Sequence, residues 1–350
     1  MGSTGTHRRV VIHHPPPGRR KGGEWCASQT DRRLNNSTTT VGSTSRAGWV
    51  TEWPERACVD RRAARDTGRS RTMLAESLSR GEVFLIELLP PRGLRVGAFL
   101  ERARRLWTPL VDAFSLVDMP LARRRVSPWA VGRLLRDRGI EVLVHFSRTS
   151  RNLPRLVGDA LGCGALGLDN LLLLSGDVPA GGDFPDASRI DDIGLVEGLA
   201  LVKGLNERFT LGAVFSPHDD RELLRARRKL RSGADFLISQ PVFEAADVLN
   251  LAGIVPLDRI VVSVAFFKSH RQAAAFAEVP GIEFPADLAA LADADDETVE
   301  AYTFARCAEL VKLLRGRVLG FCISGVVKDG QRIAELAELA KNTRIGSVSG

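Results

Sequence analysis

Eight short apolar runs, each followed by a stretch of helical periodicity, predict a (β/α)8 barrel for the larger part of this 350-residue chain. Three observations carry that expectation. The runs are apolar at nearly every position instead of every second one, as strands buried on both faces require. Strand-like and helix-like segments alternate, which argues a parallel sheet. Eight such units occupy roughly 270 residues, the size of an ordinary barrel of this kind.

In order, the runs are VFLIELL (83–89), AFSLVD (113–118), EVLVHFS (141–147), NLLLLSGD (170–177), FTLGAVF (209–215), DFLISQ (235–240), RIVVSVAF (259–266) and VLGFCIS (318–324). Helical spacing of apolar residues marks VGAFLERARRLW (96–107), PWAVGRLLRDRG (128–139), LPRLVGDALGCG (153–164), IGLVEGLALVKGL (193–205), LLRARRKLRSG (223–233) and TVEAYTFARCAELVKLLRG (298–316). An open doubly wound sheet is the competing architecture. Against it, the first run ends in Pro90-Pro91-Arg92-Gly93, and no GxGxxG follows.

Residues 1–72 are different material from residues 73–350. They carry fourteen Arg and Lys against six Asp and Glu, a net charge of +8, whereas the whole chain is +7. The body is therefore close to neutral, and nothing in it suggests a nucleic-acid footprint. No apolar period runs through the first 72 residues, so this stretch is read as a disordered basic leader. Met73 is an alternative start of translation, and a nucleic-acid-binding arm is the competing function for the leader.

Cys26, Cys58, Cys163, Cys307 and Cys322 are scattered, with no metal-ligand spacing. That usage suits free thiols in a reducing cytoplasm and argues against zinc or disulfides. No apolar run is long enough to span a membrane. Self-association into a homo-oligomer stays open.

Functional side chains of such a barrel lie at the C-terminal ends of strands and in the loops that follow. Those positions hold Glu87, Asp118, His145 with Arg148, Asp177, Ser216 with His218, Gln240, and Phe266-Phe267-Lys268. Glu87 is the sharpest of them. A carboxylate inside FLIELLPP is costly to bury charged, so its pKa should rise toward that of a general acid. The structural alternative is an ion pair with an arginine across the barrel. Asp177, after four leucines, is read equally well as a loop cap. Gln240 at a strand end can donate and accept in one plane, which suits the edge of a heterocycle. His145 taken alone reads as a core histidine, and Arg123-Arg124-Arg125 as a solvated face.

Together these segments resemble the methylenetetrahydrofolate reductase family. The likeness rests on FLIELLPPRG, EVLVHFSRTSRN, GALGLDNLLLLSGDVP, RARRKLRSGADFLISQPVF and VPGIEFPADL, in that order, and covers roughly Val83 to Gly325. The resemblance implies a (β/α)8 barrel that reduces 5,10-methylenetetrahydrofolate with NAD(P)H through a bound flavin, FAD or alternatively FMN. It implies Glu87 as the acid that protonates the folate nitrogen and Asp177 as the residue beside flavin and pterin. Gln240 matches a folate or nicotinamide contact, Lys229 and His145 match flavin contacts, and Phe267 matches an aromatic that stacks on substrate. Two positions depart from the pattern: Ser175 replaces a flavin-binding arginine, and Glu222 replaces an aspartate. A flavin-free reductase of the same substrate, or a non-redox pterin-binding methyltransferase barrel, therefore stands as an alternative.

Overall fold

A computed structural model describes residues 72–277, 279, 282–325 and 330–341, so the reading of residues 1–71 as a leader lies outside the described residues. The elements run α1 (Met73–Arg80), β1 (Val83–Leu88), α2 (Gly97–Leu106), β2 (Ala113–Leu116), α3 (Pro128–Arg136), β3 (Val142–Ser147), α4 (Leu153–Ala165) and β4 (Asn170–Leu174). They continue with α5 (Leu195–Leu205), β5 (Thr210–Phe215), α6 (Asp220–Arg231), β6 (Phe236–Ser239), α7 (Ala246–Leu249), β7 (Ile260–Ala265), α8 (His270–Ala277), α9 (Ala286–Ala289), α10 (Asp296–Leu314), β8 (Gly320–Ser324) and α11 (Gly330–Lys341). All eight strands are parallel and close on themselves in sequence order, β1 pairing with β8. Each apolar run became a strand, and the barrel is the (β/α)8 architecture that they predict.

The continuous apolarity of the runs has a direct structural cause. On β1, Phe84, Ile86 and Leu88 pack outward against the helices, while Val83 and Leu85 pack inward. The interior is filled by side chains and is no channel. Phe236 of β6 reaches across because the neighbouring position on β5 is Gly212, where a Cβ would lie 2.6 Å from the Phe236 ring. Such interdigitation is worth roughly 1.5–3 kcal/mol for each large apolar side chain buried.

Helix α1 had no counterpart in the periodicity analysis, because it is only two turns long. It closes the N-terminal end of the barrel, burying Leu74 in the interior cluster. The Ser77 hydroxyl donates to Asp112 at 2.7 Å, and the other Asp112 oxygen accepts from the Phe84 amide at 2.7 Å. Thr72 accepts from the Ala75 amide and donates to the Asn170 side chain at 2.8 Å. Thr72, one residue before Met73, is thus part of the folded body. Helices α7, α8, α9 and α11 were also not anticipated.

Replacing Thr72 by Ala removes the N-cap of α1 and one partner of buried Asn170. We expect a loss of about 1 kcal/mol in denaturant melts, restored by Thr72→Ser. Equal stability of wild type and Thr72→Ala would show that the plug helix is not anchored there.

Candidate functional site

The inward-facing layer nearest the C-terminal end of the barrel is where the apolar pattern breaks. Glu87 on β1, Ser115 on β2, His145 on β3, Ser263 on β7 and Ser324 on β8 all border one cavity of about 410 Å³, and Ser239 joins its lining from the end of β6. Its walls are otherwise mainly apolar, with Leu172, Val214, Ile238, Phe276 and Ile282 among them. The serines escaped the sequence reading. For Ser115, Ser263 and Ser324 the signal was available: each is a hydroxyl in an apolar strand, on the same inward-facing phase as Glu87.

Glu87 faces this cavity and keeps some exposure to it, but its carboxyl is enclosed by protein. No ion pair or hydrogen bond to its carboxyl is found among the described residues, so the arginine partnership considered above is not present. Burial pushes its pKa up from 4.5 to about 7. Its register neighbour across the sheet is Ser115, whose hydroxyl lies 2.7 Å from His145 Nε2. Burial lowers the His145 pKa to about 4, against the opposing pull of Asp118, so the ring is neutral at physiological pH. Two titratable groups that would ordinarily be charged or near their midpoint are here held toward neutrality by the same apolar surroundings.

A second cavity of about 670 Å³ lies alongside and shares Asp177, Val214 and Gln240 with the first. Its lining is more polar than that of the first: Arg148, Ser175, Arg189, Glu222, Arg225, Arg228 and Lys229 all contribute. Lys229 lies on the inner face of α6 and is buried, donating to Glu222 at 2.6 Å and to the Val214 carbonyl at 2.7 Å. Burial of Glu222 opposes ionisation, but Arg225 and Lys229 outweigh it and hold the carboxyl below its ordinary range. The structure therefore brings Lys229, Glu222 and Ser175 together in one compartment, and Glu87, His145 and Phe267 in the other. Asp177 and Gln240 stand between them.

Asp177 sits beyond β4, which ends at Leu174; the chain turns at Gly176 with φ +86°. There a Cβ would lie 2.6 Å from Thr149 Oγ1, so glycine is required for space as well as conformation. The exposed Asp177 carboxylate accepts from the Leu121 amide at 2.5 Å. This is the loop-capping arrangement, made at the cavity edge. It holds a segment in which Met119, Leu121 and Ala122 all adopt positive φ, a conformation costly for residues with side chains. Phe267 borders the cavity but is itself buried, packed edge-on against Phe276 at 5.0 Å and tilted toward Phe284 at 6.3 Å. Its ring is part of a satellite core, and Phe276, half-buried, is the more available face.

Two sequence readings change here. Arg123 and Arg125 are not simply a solvated face, because both border the cavity; Arg124 alone points away, toward Asp183. Asp118 lines neither cavity: it accepts from the Ser147 amide and pairs with Arg151 at 2.8 Å. Arg151 also pairs with Asp159 at 3.0 Å and stacks over Phe146, while Asn152 caps α4. Arg151 and Asn152, after β3, are thus scaffold, whereas Arg148 of the same segment borders the polar cavity. Arg151→Met should destabilise the barrel by roughly 3–5 kcal/mol by stranding buried Asp118. Chemical denaturation reads this directly, and a loss below 1 kcal/mol would contradict it.

A larger cleft of about 700 Å³ opens at the other end of the barrel, beside α1. Two ion pairs lie within its lining, Lys203 with Asp235 at 2.7 Å and Arg208 with Asp169 at 2.7 Å. That end of a (β/α)8 barrel serves stability, so the C-terminal cavities are the candidate site. Among the described residues there is no cluster of potential metal ligands and no helix long and apolar enough to cross a membrane.

No curated protein matches the chain. An uncharacterised protein from Clostridium thermocellum that binds two copies of 5-methyl-5,6,7,8-tetrahydrofolic acid is similar in fold, with a TM-score of 0.55 and 16% identity, covering 77% of this chain and 98% of that one. A deoxyribose phosphate aldolase from Aeropyrum pernix is more remote, with a TM-score of 0.36 and 15% identity over 58% of this chain and 87% of its own. The sequence comparison is decisive where the structural one is not: the methylenetetrahydrofolate reductase model matches residues 73–326, plug helix through eighth strand, and the chain belongs to that family.

Proposed function

We propose that this protein reduces 5,10-methylenetetrahydrofolate to 5-methyltetrahydrofolate with NAD(P)H, Glu87 acting as general acid and a flavin, FAD or FMN, as carrier. The observation that carries the reading is the enclosed Glu87 carboxyl, without an ionic partner and with a pKa of about 7. The folate-binding neighbour of the same fold supports the substrate class.

Opening the methylene bridge needs a proton on the departing folate nitrogen. A carboxyl half protonated near neutrality supplies it without a large penalty in either direction. Glu87 then regains its proton from solvent through the cavity mouth. His145, neutral and hydrogen-bonded to Ser115, adds no positive charge that would drive Glu87 to ionise early. Gln240 can pair with the donor and acceptor edge of a pterin. Asp177 has a second carboxylate oxygen free for the pterin while its partner holds Leu121.

The polar cavity suits a phosphate-bearing cofactor, since its basic side chains outnumber its acidic ones and exposed Arg228 has no carboxylate within 4 Å among the described residues. Lys229, Glu222 and Ser175 would hold such a group there, Asp177 would meet it where the two cavities join, and His145 would contact it only from the apolar cavity. When bound, a flavin supplies a two-electron relay between nicotinamide and folate. One observation favours the flavin-free alternative: Lys229 already spends its charge on Glu222. The visible spectrum of purified protein separates the two, a flavin band at 450 nm being the expected result.

Glu87→Gln keeps the shape and removes the transferable proton. The folate step should fall by about 10²–10⁴-fold, or roughly 3–5 kcal/mol of barrel-independent activation energy. In wild type the rate of that step should decline as pH rises through about 7, and the decline should vanish in the variant. Stability gives an independent check. Because the folded-state pKa is raised, Glu87 favours folding fully below pH 4.5, and that contribution is lost as pH rises through 7. Glu87→Gln should therefore gain stability relative to wild type between pH 5 and 8. A folate step within threefold of wild type sinks the general-acid role.

A further inference from the structure

Three arginines line the rim of the apolar cavity with a fourth behind them, and none of the four makes an ion pair among the described residues. Arg92 follows β1, Arg123 and Arg125 follow β2, and Arg102 lies behind them on α2. None has an acidic group within 4 Å among the described residues, although each of the first three borders the cavity. Arg125 spends one nitrogen on the Pro90 carbonyl at 2.6 Å, but its Nε is buried without a hydrogen-bond partner. Arg102 reaches the Leu89 carbonyl at 3.5 Å, and its Nε is likewise buried and unpartnered. Burial and repulsion from Arg92, Arg102 and Arg123 make the Arg125 cation harder to maintain, and Asp183 offsets only part of this. Asp183 is itself engaged, accepting from the Arg124 amide at 2.9 Å. Uncompensated like charges around unmet donors are costly, and an anion placed among them relieves both costs at once.

We propose that Arg92, Arg123 and Arg125 form an anion subsite that binds the glutamate carboxylates of the folate. The inference rests on the folate reading above. The rim belongs to the same cavity as Glu87, which must meet the pterin end of that molecule. Pro120 and Leu121 line the stretch between and suit the aromatic ring that joins pterin to glutamate. A cofactor phosphate has its own basic lining in the neighbouring polar cavity, so it does not need this rim. The planar guanidinium fork matches a carboxylate in two-point contact, and several carboxylates along a γ-linked glutamate chain would engage more than one arginine.

The test compares equilibrium binding of three ligands: 5-methyltetrahydrofolate, its triglutamyl form, and 5-methyltetrahydropteroate, which lacks glutamate. Wild type should bind the triglutamyl form most tightly and the pteroate least. Arg123→Gln/Arg125→Gln should weaken both glutamate-bearing ligands at least tenfold, the triglutamyl form most, and leave the pteroate within twofold. Retained pteroate binding shows at the same time that the variant is folded. Exposed Arg123→Gln alone provides the same comparison if the double variant does not fold. Arg124→Gln, whose side chain lies outside the cavity, should match wild type for all three. Equal loss for pteroate and folate, no loss for either, or a loss confined to NADH or NADPH affinity overturns the subsite. A wild type that binds pteroate and folates alike overturns it while sparing the folate reading; a wild type that binds none of the three overturns the folate reading itself.

Discussion

Closing eight parallel strands into a barrel leaves an interior that must be filled by side chains from every strand, and the rest of this molecule follows from how that filling ends. At the N-terminal end it is completed by Leu74 of the plug helix, and at mid-height by Phe236 in the space left by Gly212. One layer higher the filling stops. Glutamate, histidine and three serines replace the aliphatic residues there, and a cavity takes the place of packed carbon. The apolar layer beneath is therefore the floor of the site as well as the source of stability.

That floor also sets the electrostatics. Low-dielectric surroundings raise the Glu87 pKa and lower that of His145, so the deep end of the cavity is close to neutral. Charge is displaced outward to the rim arginines on one side and to the Lys229–Glu222 pair on the other. A neutral reacting centre between two charged shoulders suits a flat, uncharged heterocycle carrying an anionic tail. The same pattern would be counterproductive for a substrate charged at its reacting end.

Much of the fold was legible because burial on both faces leaves an unmistakable mark: uninterrupted apolar runs such as NLLLLS and RIVVSVAF. Strand ends were less legible. The run NLLLLSGD overshoots β4 because Ser175 to Asp177 belong to a turn that only Gly176 permits. Helix α1 left little periodic trace because two turns offer too few positions. Glu87 stood out as a charge that a buried strand does not tolerate, whereas Ser115, Ser239, Ser263 and Ser324 did not, a buried serine being cheap once it is hydrogen-bonded. Arg125 could not be told from its neighbour Arg124 in the sequence, since adjacent residues of a loop can face cavity and solvent. Arg151 shows the converse: it lies in a segment on which the family resemblance rests, yet its contacts are those of the scaffold.

The protonation state of Glu87 bears most directly on this arrangement. Carboxyl ¹³C NMR of glutamate-labelled protein, assigned by comparison with Glu87→Gln, follows that one group through a pH titration without reference to turnover. An inflection near pH 7 is expected from its enclosure in the apolar cavity. An inflection at the ordinary glutamate value near 4.5 would mean that water or an unrecognised cation solvates the carboxylate, and the site would then lack its acid.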